Sequence, residues 1–521
     1  MACGVFLTGS LLLSGCTKKF EGFNTDNTAI PNNLLKAGGL IIGMQLSIYG
    51  EQNAYQLDQN LNADCYSGYM MSPDPFRGNV NNLTYFLVDG WNSSPWTDTY
   101  SLETGVWWDL LQSGVNLSAP DQYAVALILK VEAMDRLTDK FGAIPYTTAG
   151  TNPEGVAFNS QDTVYLAMFA DLDTAVSNLQ AYVAAHPGVE PLASYDLTYQ
   201  GNYVEWIKFA NSLRLRLAMH IVKADATTAQ AQAEKAITNS GGLLSSPSDD
   251  ATISGGGYIN PLSVISTSWT DISMGADFGC TLNGYHDPRL AVMCMPATQT
   301  NIAGQYEGIR LGSLITQKPG YTGFSILNTN TCVSASSPMR MMTAAEVDFL
   351  MAEGALRNWP GFGSAQTWYN QGITTSFQQW GVSGAAAYYG DATSVPTAYV
   401  DPNNSANNSP AVEGITIAWD AAATNEENLE RIITQKWIAM FPEGQEAWTE
   451  QRRTGYPHLF TAVTNNSGGT ISSTTGIRRL AYPQSIYLTN TVNINAAVAN
   501  TLGGADNGGT RLWWDINKGN F

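Results

Sequence analysis

Charge is what this chain has least of. Only 13% of its 521 residues are Asp, Glu, Lys or Arg, about half the share of an average soluble protein. Acids prevail within that small set, 44 against 25 basic residues, giving a formal net charge of −19. Such a surface repels phosphate backbones, which basic side chains must neutralise before a nucleic acid binds, so no nucleic-acid partner is expected. Long apolar runs are also missing. None reaches the roughly 18–20 residues of a spanning helix, so no segment is expected to cross a bilayer in that form. Histidine is scarce: His186, His220, His286 and His458 stand far apart, with no His-x-x-x-His pair and no Cys-x-x-Cys. Zinc therefore has no local signature. No Gly-Lys dipeptide occurs, which excludes a Walker A loop, and there is no Gly-x-Ser-x-Gly elbow.

Aromatic residues are abundant by contrast, with 14 Trp, 24 Tyr and 17 Phe. At 44% hydrophobic the chain is not disordered, and it is long enough for a sizeable core. Length alone would suggest about three domains. Low charge combined with many aromatics and many Asn, Ser and Thr resembles the composition of secreted sugar-handling proteins more than that of cytosolic enzymes.

At the N-terminus, Val5–Leu13 is a short apolar run followed by Ser14, Gly15 and Cys16. An apolar stretch too short to span, ending in small residues, is a signal peptide. A cysteine directly after Leu-Ser-Gly matches the bacterial lipobox. Residues 1–15 are therefore expected to be removed and Cys16 to be lipidated, anchoring the chain to a membrane. No Lys or Arg precedes the apolar run, the first being Lys18, so a true start upstream of Met1 is expected. Cys65, Cys280, Cys294 and Cys332 remain in an oxidising compartment, and four thiols allow three pairings. The spacing selects none of them, and free buried thiols fit as well.

Beyond a polar tether at 16–33, residues 34–521 read as one domain in four stretches. Residues 34–240 form a helical scaffold. Val164, Met168, Leu172, Ala175 and Leu179 share one helical stripe, as do Leu127, Val131 and Met134, and Phe209, Leu213, Leu217 and Ile221. Residues 241–340 carry Gly255-Gly256-Gly257 and short β-branched pieces, an insertion of loops and a few short strands. Helices resume over 341–460, with a long excursion at 381–425, and 461–521 is loop-rich. The fold class is mostly α, with stacked helical pairs.

Paired carboxylates are the one catalytic pattern present, since a glycosidase needs only two. Glu446 and Glu450 lie at i, i+4 beside Trp448; their structural explanation is neutralisation of Arg452 and Arg453. Asp135 and Asp139 have the same spacing beside Arg136 and Lys140 and read as a solvated helix end. Asp515, Asn517 and Gly519 have the spacing that opens a calcium loop, with no distal Glu after them. The sequence thus assigns no cofactor, and leaves open a structural calcium ion that it does not place.

Seven segments in order carry a resemblance. They are Arg136–Tyr146 (RLTDKFGAIPY), Trp206–Met219 (WIKFANSLRLRLAM), His286–Leu290 (HDPRL), Glu346–Glu353 (EVDFLMAE), Ile433–Met440 (ITQKWIAM), Arg452–Pro457 (RRTGYP) and Arg478–Pro483 (RRLAYP). Together with the lipobox, this series resembles the SusD/RagB family of Bacteroidetes surface lipoproteins, in its SusD-like branch, over essentially the whole mature chain. Most of these residues are expected to serve the scaffold. Arg214 and Arg216 stand among leucines, so at least one should be buried against a carboxylate such as Glu346, Glu353 or Asp348. Trp448 and Arg452, four apart, are placed to stack.

The resemblance implies a tetratricopeptide-like helical body, lipid-anchored at the cell-surface side of the outer membrane, that binds oligosaccharides. It also implies delivery of the ligand to a SusC-like TonB-dependent transporter, with no bond broken. Alternatives are a peptide or protein-nutrient binder of the RagB type and a glycoside hydrolase. A neutral sugar is held by its apolar face on a ring and by hydrogen bonds to its hydroxyls. The loop-borne candidates are Trp91, Trp96, Trp269, Tyr258 and Tyr285, with Tyr388 and Tyr389 in the excursion and Asn92, Asp98 and Asn283 as polar neighbours. Each ring is equally suited to capping the local core. Trp107, Trp108, Trp206, Trp437, Trp513 and Trp514 are assigned to the scaffold.

Overall fold

The computed structural model describes residues 37–150 and 155–521. Cys16, its lipobox and the tether lie outside these described residues. Apolar stripes spaced three and four apart produce helices that pack side by side. In the first half these are α1 (Ala37–Ser47), α2 (Asp89–Asp98), α3 (Gly105–Gln112), α4 (Pro120–Phe141), α5 (Gln161–Ala185), α6 (Tyr203–His220) and α7 (Ala226–Thr238). The insertion contributes α8 (Ala276–Gly284). The second half adds α9 (Ala344–Leu356), α10 (Ala365–Gln379), α11 (Asn425–Met440), α12 (Gly444–Thr454) and α13 (Thr491–Thr501). Helix α4 packs on α5, α5 on α6, α6 on α7, and α9 on both α10 and α11. Among the described residues no helix is long and apolar enough to cross a membrane.

Local chemistry sets the helix ends. Pro120 sits in the first turn of α4, where its missing N–H is not needed. The same helix stops at Gly142, whose φ of 91° a side chain would resist. Asn202 caps α6, Thr343 caps α9, and Thr424 with Glu427 forms a reciprocal capping box on α11. The predicted stripe of α5 is buried at all five positions. Fully burying one such Leu is worth about 1.5–3 kcal/mol.

Strands are few and short. Met70–Met71 (β1) pairs with Ser273–Met274 (β3), Ala251–Ile253 (β2) with Met339–Met342 (β6), and Cys294–Met295 (β4) with Ile326–Leu327 (β5), all antiparallel. The excursion holds a short helix, Ala385–Tyr389, and a single bridge from Tyr399 to Ser409. Two stretches depart from α-helical regularity. Gln56–Asp64 and Thr99–Thr104 are π-helical, a widened form often found at functional sites. The four described cysteines are free thiols.

The helical pairs meet at buried charge. The Arg216 guanidinium on α6 forms a two-pronged contact with Glu346 on α9, both distances 2.7 Å, and reaches Glu132 on α4 at 3.3 Å. Lys436 on α11 lies 3.3 Å from both Glu446 and Glu450 of α12. Arg453 binds Glu450 at 2.7 Å and Glu353 at 2.6 Å. His220 closes the set, its Nε2 3.1 Å from Glu446 and its Nδ1 3.5 Å from Asp139. Burial opposes a charged imidazole, but Glu446 and Asp135 outweigh it and hold the His220 pKa well above its ordinary value. Asp135 and Asp139 are thus not a solvated helix end: both are buried, and Asp139 accepts from Tyr165 Oη and Trp514 Nε1 at 2.8 Å. The packing of α5 and the C-terminal segment over α4 covers them, which helical spacing alone does not reveal. Arg452 stacks 3.6 Å above Trp448, as expected, but donates to the carbonyls of Asp139 and Arg478 instead of to a carboxylate.

Removing one partner from such a pair leaves an uncompensated buried charge. Arg216→Met should lower the urea unfolding free energy by about 3–5 kcal/mol, and adding Glu346→Leu should recover part of it. Acid acts through Glu353. Burial opposes its ionisation, but Arg453 and Arg357 outweigh that and hold its carboxyl at about 2, against an ordinary 4.5. Its contribution is therefore present above pH 4.5 and lost as pH falls toward 2. The stability gap between the parent and Glu353→Gln, measured by urea melts, should narrow across that window.

Candidate functional site

Two turns with unusual backbone meet on one face of the molecule. The first, Pro73-Asp74-Pro75-Phe76-Arg77-Gly78-Asn79, has Arg77 at φ 53° and Asn79 at φ 65°, both left-handed without being glycine. Strain of this kind, about 1 kcal/mol or more per residue, persists only where surrounding contacts impose it. Here Asn79 exchanges two hydrogen bonds with the backbone of Ile315, at 2.9 and 3.1 Å. The second turn, after a short helix at Pro261–Thr267, has Thr270 at φ 53°.

Lys318 joins the two turns. Its ammonium lies 3.3 Å from Asp74, donates to the Trp269 carbonyl at 2.7 Å, and pairs with Asp271. Asp271 in turn accepts from Gln56 Nε2 at 3.0 Å, at the start of the first π-helical stretch. Trp91, on α2, meets Phe76 edge to face at 5.7 Å and 88°. Gln52 stands one helical turn, about 6 Å, before Gln56. It lines a groove of about 310 Å³ with Gly256, Gly257 and Tyr258, whose rim includes the exposed Ile259. Trp91, Trp269 and Tyr258 are all half-buried. The face therefore offers separated aromatic surfaces interleaved with carboxylates, two glutamine amides and the exposed guanidinium of Arg77. That mixture suits a ligand with both apolar faces and hydroxyls.

The remaining predicted residues go elsewhere. Trp96 sits on the same α2 helix but among Tyr100, Phe141, Phe158 and Tyr482, lining a separate cleft of about 180 Å³. Tyr285 is 2% exposed and donates to the Ile415 carbonyl at 2.9 Å. Asn92 is buried, accepting from Asn82 Nδ2 at 2.9 Å, and Asn283 donates to the Tyr306 carbonyl at 2.7 Å. Asp98 is within reach of Ser94, 3.4 Å away, and borders an internal pocket with Asp58 and Glu103. Tyr388, in the excursion, is buried with its hydroxyl on Asp287, while Tyr389 is half-buried. The stretch 89–98, turn-like in composition, is helical because Asn82 holds its first turn, accepting from Val88 N and donating to Asn92.

Sequence reasoning missed Asp74, Phe76, Arg77, Lys318, Gln52 and Gln56. The run Pro-Asp-Pro-Phe-Arg-Gly did hold a signal, an aromatic and a cation set between turn formers. The carboxylates singled out for hydrolysis are engaged otherwise. Glu446 and Glu450 are buried beneath His220, Lys436 and Arg453, and burial's push on Glu446 is outweighed by His220, Lys436 and Arg216, which keep it ionised. A glycosidase's general acid needs the opposite, a raised pKa. In the calcium-like stretch, the Asp515 carboxylate is taken by Arg478 and Arg511.

Comparison with known proteins shows the family. A family model described as SusD-like, "Susd and RagB outer membrane lipoprotein", matches residues 20–515. A comparison with curated proteins finds no match. Among solved structures, a chitin-binding SusD homologue from Flavobacterium johnsoniae is 45% identical, with a TM-score of 0.89 over 93% of this chain and 100% of that one. A SusD homologue from Bacteroides vulgatus is 40% identical, with a TM-score of 0.88 over 93% and 98%. One from Bacteroides thetaiotaomicron is 34% identical, with a TM-score of 0.86 over 93% and 100%.

If Lys318 pins the two strained turns, Lys318→Met should release them locally. Amide exchange over residues 72–79 and 268–272 should quicken. Because the ion pairs are part-exposed, the melting temperature should move by no more than about 2 °C.

Proposed function

The chain belongs to the SusD-like family of outer-membrane lipoproteins, and on that footing we propose that it binds an oligosaccharide and passes it, unaltered, to a SusC-like TonB-dependent transporter. Lipidation of Cys16 would hold it at the cell surface. The observation that carries the binding reading is the face built by Trp91, Phe76, Trp269 and Tyr258, with Lys318 locking its turns. A pyranose ring laid on an indole buries its C–H face, and the adjacent amides and carboxylates complement its hydroxyls. An extended ligand suits a face whose rings are spread along it.

Likeness to a chitin-binding homologue makes β-linked N-acetylglucosamine oligomers the first ligand class to test. They are uncharged, in keeping with a face whose lysine is already spent on two carboxylates. Transfer without cleavage fits a chain whose most suggestive acid pair is locked into the scaffold.

Calorimetric titration of the mature chain with chito-oligosaccharides should give saturable binding. Trp269→Ala and Trp91→Ala should each weaken it at least about tenfold, the loss expected of a central aromatic contact. A reducing-end assay on the same mixtures should stay flat. Release of sugar ends would establish a hydrolase instead, and binding of peptides in place of glycans would favour a peptide-nutrient role.

A further inference from the structure

Beneath the C-terminal segment, where α4, α5 and α6 meet, three polar groups converge that the ion-pair network leaves incompletely met. Asp135 and Asp139 stand one helical turn apart on α4, and His220 is the last residue of α6. Their side chains are 5%, 2% and 0% exposed. Asp135 Oδ1 lies 3.7 Å and Asp139 Oδ2 3.5 Å from His220 Nδ1, separations of 3.5 Å and above being poor hydrogen bonds. Both oxygens are buried, and neither has a hydrogen-bond partner among the described residues. The three atoms lie within 4.8 Å of one another. A buried charged acceptor without a partner is costly, so two of them aimed at one nitrogen call for a cation between them.

Neighbouring groups turn these atoms toward a common point. Asp139 takes its bonds from Tyr165 Oη and Trp514 Nε1 on Oδ1, both at 2.8 Å, which leaves Oδ2 free. His220 Nε2 faces Glu446 at 3.1 Å, so a proton is held on that side and Nδ1 is the nitrogen able to offer a lone pair. A carboxylate on the far nitrogen of a ligating histidine is the common arrangement at protein-bound metals. The Nε2 side has no comparable vacancy for charge, since Glu446 and Glu450 are already met by Lys436 and Arg453.

We propose that Asp135 Oδ1, Asp139 Oδ2 and His220 Nδ1 bind a zinc ion that ties α4 to α6. With bonds of about 2.1 Å to one centre, the two oxygen–nitrogen separations subtend about 113° and 124°, between tetrahedral and trigonal. Tyr165 Oη, 3.1 Å from the same nitrogen, offers a further oxygen. One imidazole nitrogen and few oxygens at this spacing suit zinc, whereas calcium takes six to eight oxygens at longer bonds. The ion takes the place of the Nδ1 proton, and its two charges balance the two carboxylates. Its donors come from two helices distant in sequence, so no local zinc motif announces them.

The test uses the tag-free mature chain, unfolded in urea with EDTA and refolded with or without micromolar Zn2+. After desalting, elemental analysis should find about one zinc per chain refolded with the ion. That chain should melt at least about 3 °C higher than the one refolded without it, as expected of an ion bound only by the folded state. Asp135→Asn, which keeps the side chain's shape and removes its charge, should cut the retained zinc at least tenfold with an unchanged far-ultraviolet circular dichroism spectrum. Full retention by Asp135→Asn overturns the site. So does a parent that retains no zinc and melts identically either way, which leaves a proton on Nδ1. Should the variant not refold, the parent's zinc content and melting shift decide alone. Neither result touches glycan binding at the outer face, which is read by calorimetry.

Discussion

The two-pronged contact between Arg216 and Glu346 ties a helix from the first half of the chain to one from the second, in a region closed to water. A guanidinium there is tolerable only if its charge and its N–H groups are met at once. One carboxylate does not suffice, so Glu132 and the Met341 carbonyl complete the ring of acceptors. Each of those acids then needs its own cation. The requirement spreads through Arg136, Lys436, His220 and Arg453 until it reaches the C-terminal segment at Arg478 and Asp515. A chain with only 25 basic residues thus commits a large share of them to its interior. More acids than bases are buried with them, so the acidic exterior reflects the composition itself, 44 acids against 25 bases.

Such a frame fixes helices but supplies little surface for a ligand. The outer face is built instead from turns between elements, where the backbone takes positions that no helix or strand would allow. Arg77, Asn79 and Thr270 adopt left-handed angles because Ile315 and Lys318 hold the turns from behind. Rigid scaffold and strained rim are complementary: the first supplies the energy that keeps the second in place. Rings fixed in this way lose little conformational freedom when a sugar lands on them, which favours affinity without a large interface.

The seven recognisable segments illustrate what a sequence makes visible. Arg216, Glu346, Glu353, Lys436, Arg453 and Arg478 all fall within them, and all belong to the buried network. Charged residues set among leucines are conspicuous because burial of a charge is otherwise forbidden, so their pairing can be anticipated. Trp91, Trp269 and Tyr258 were legible as loop-flanking rings with nothing to say which faced a common ligand. Tyr285 and Asn92 had the same credentials yet lie inside, because what a turn packs against is set by chain hundreds of residues away.

The order of residues alone determined the long helices with their apolar stripes and the need for interior ion pairs, since each rests on spacing of three or four positions or on the chemistry of a single side chain. Only the folded molecule decided that Lys318 would reach Asp74, Asp271 and the Trp269 carbonyl together, and that Asp139 would be sealed beneath Trp514. Those contacts span separations of 47 to 375 residues, and no local pattern encodes which distant surfaces the packing of the helical pairs will bring face to face.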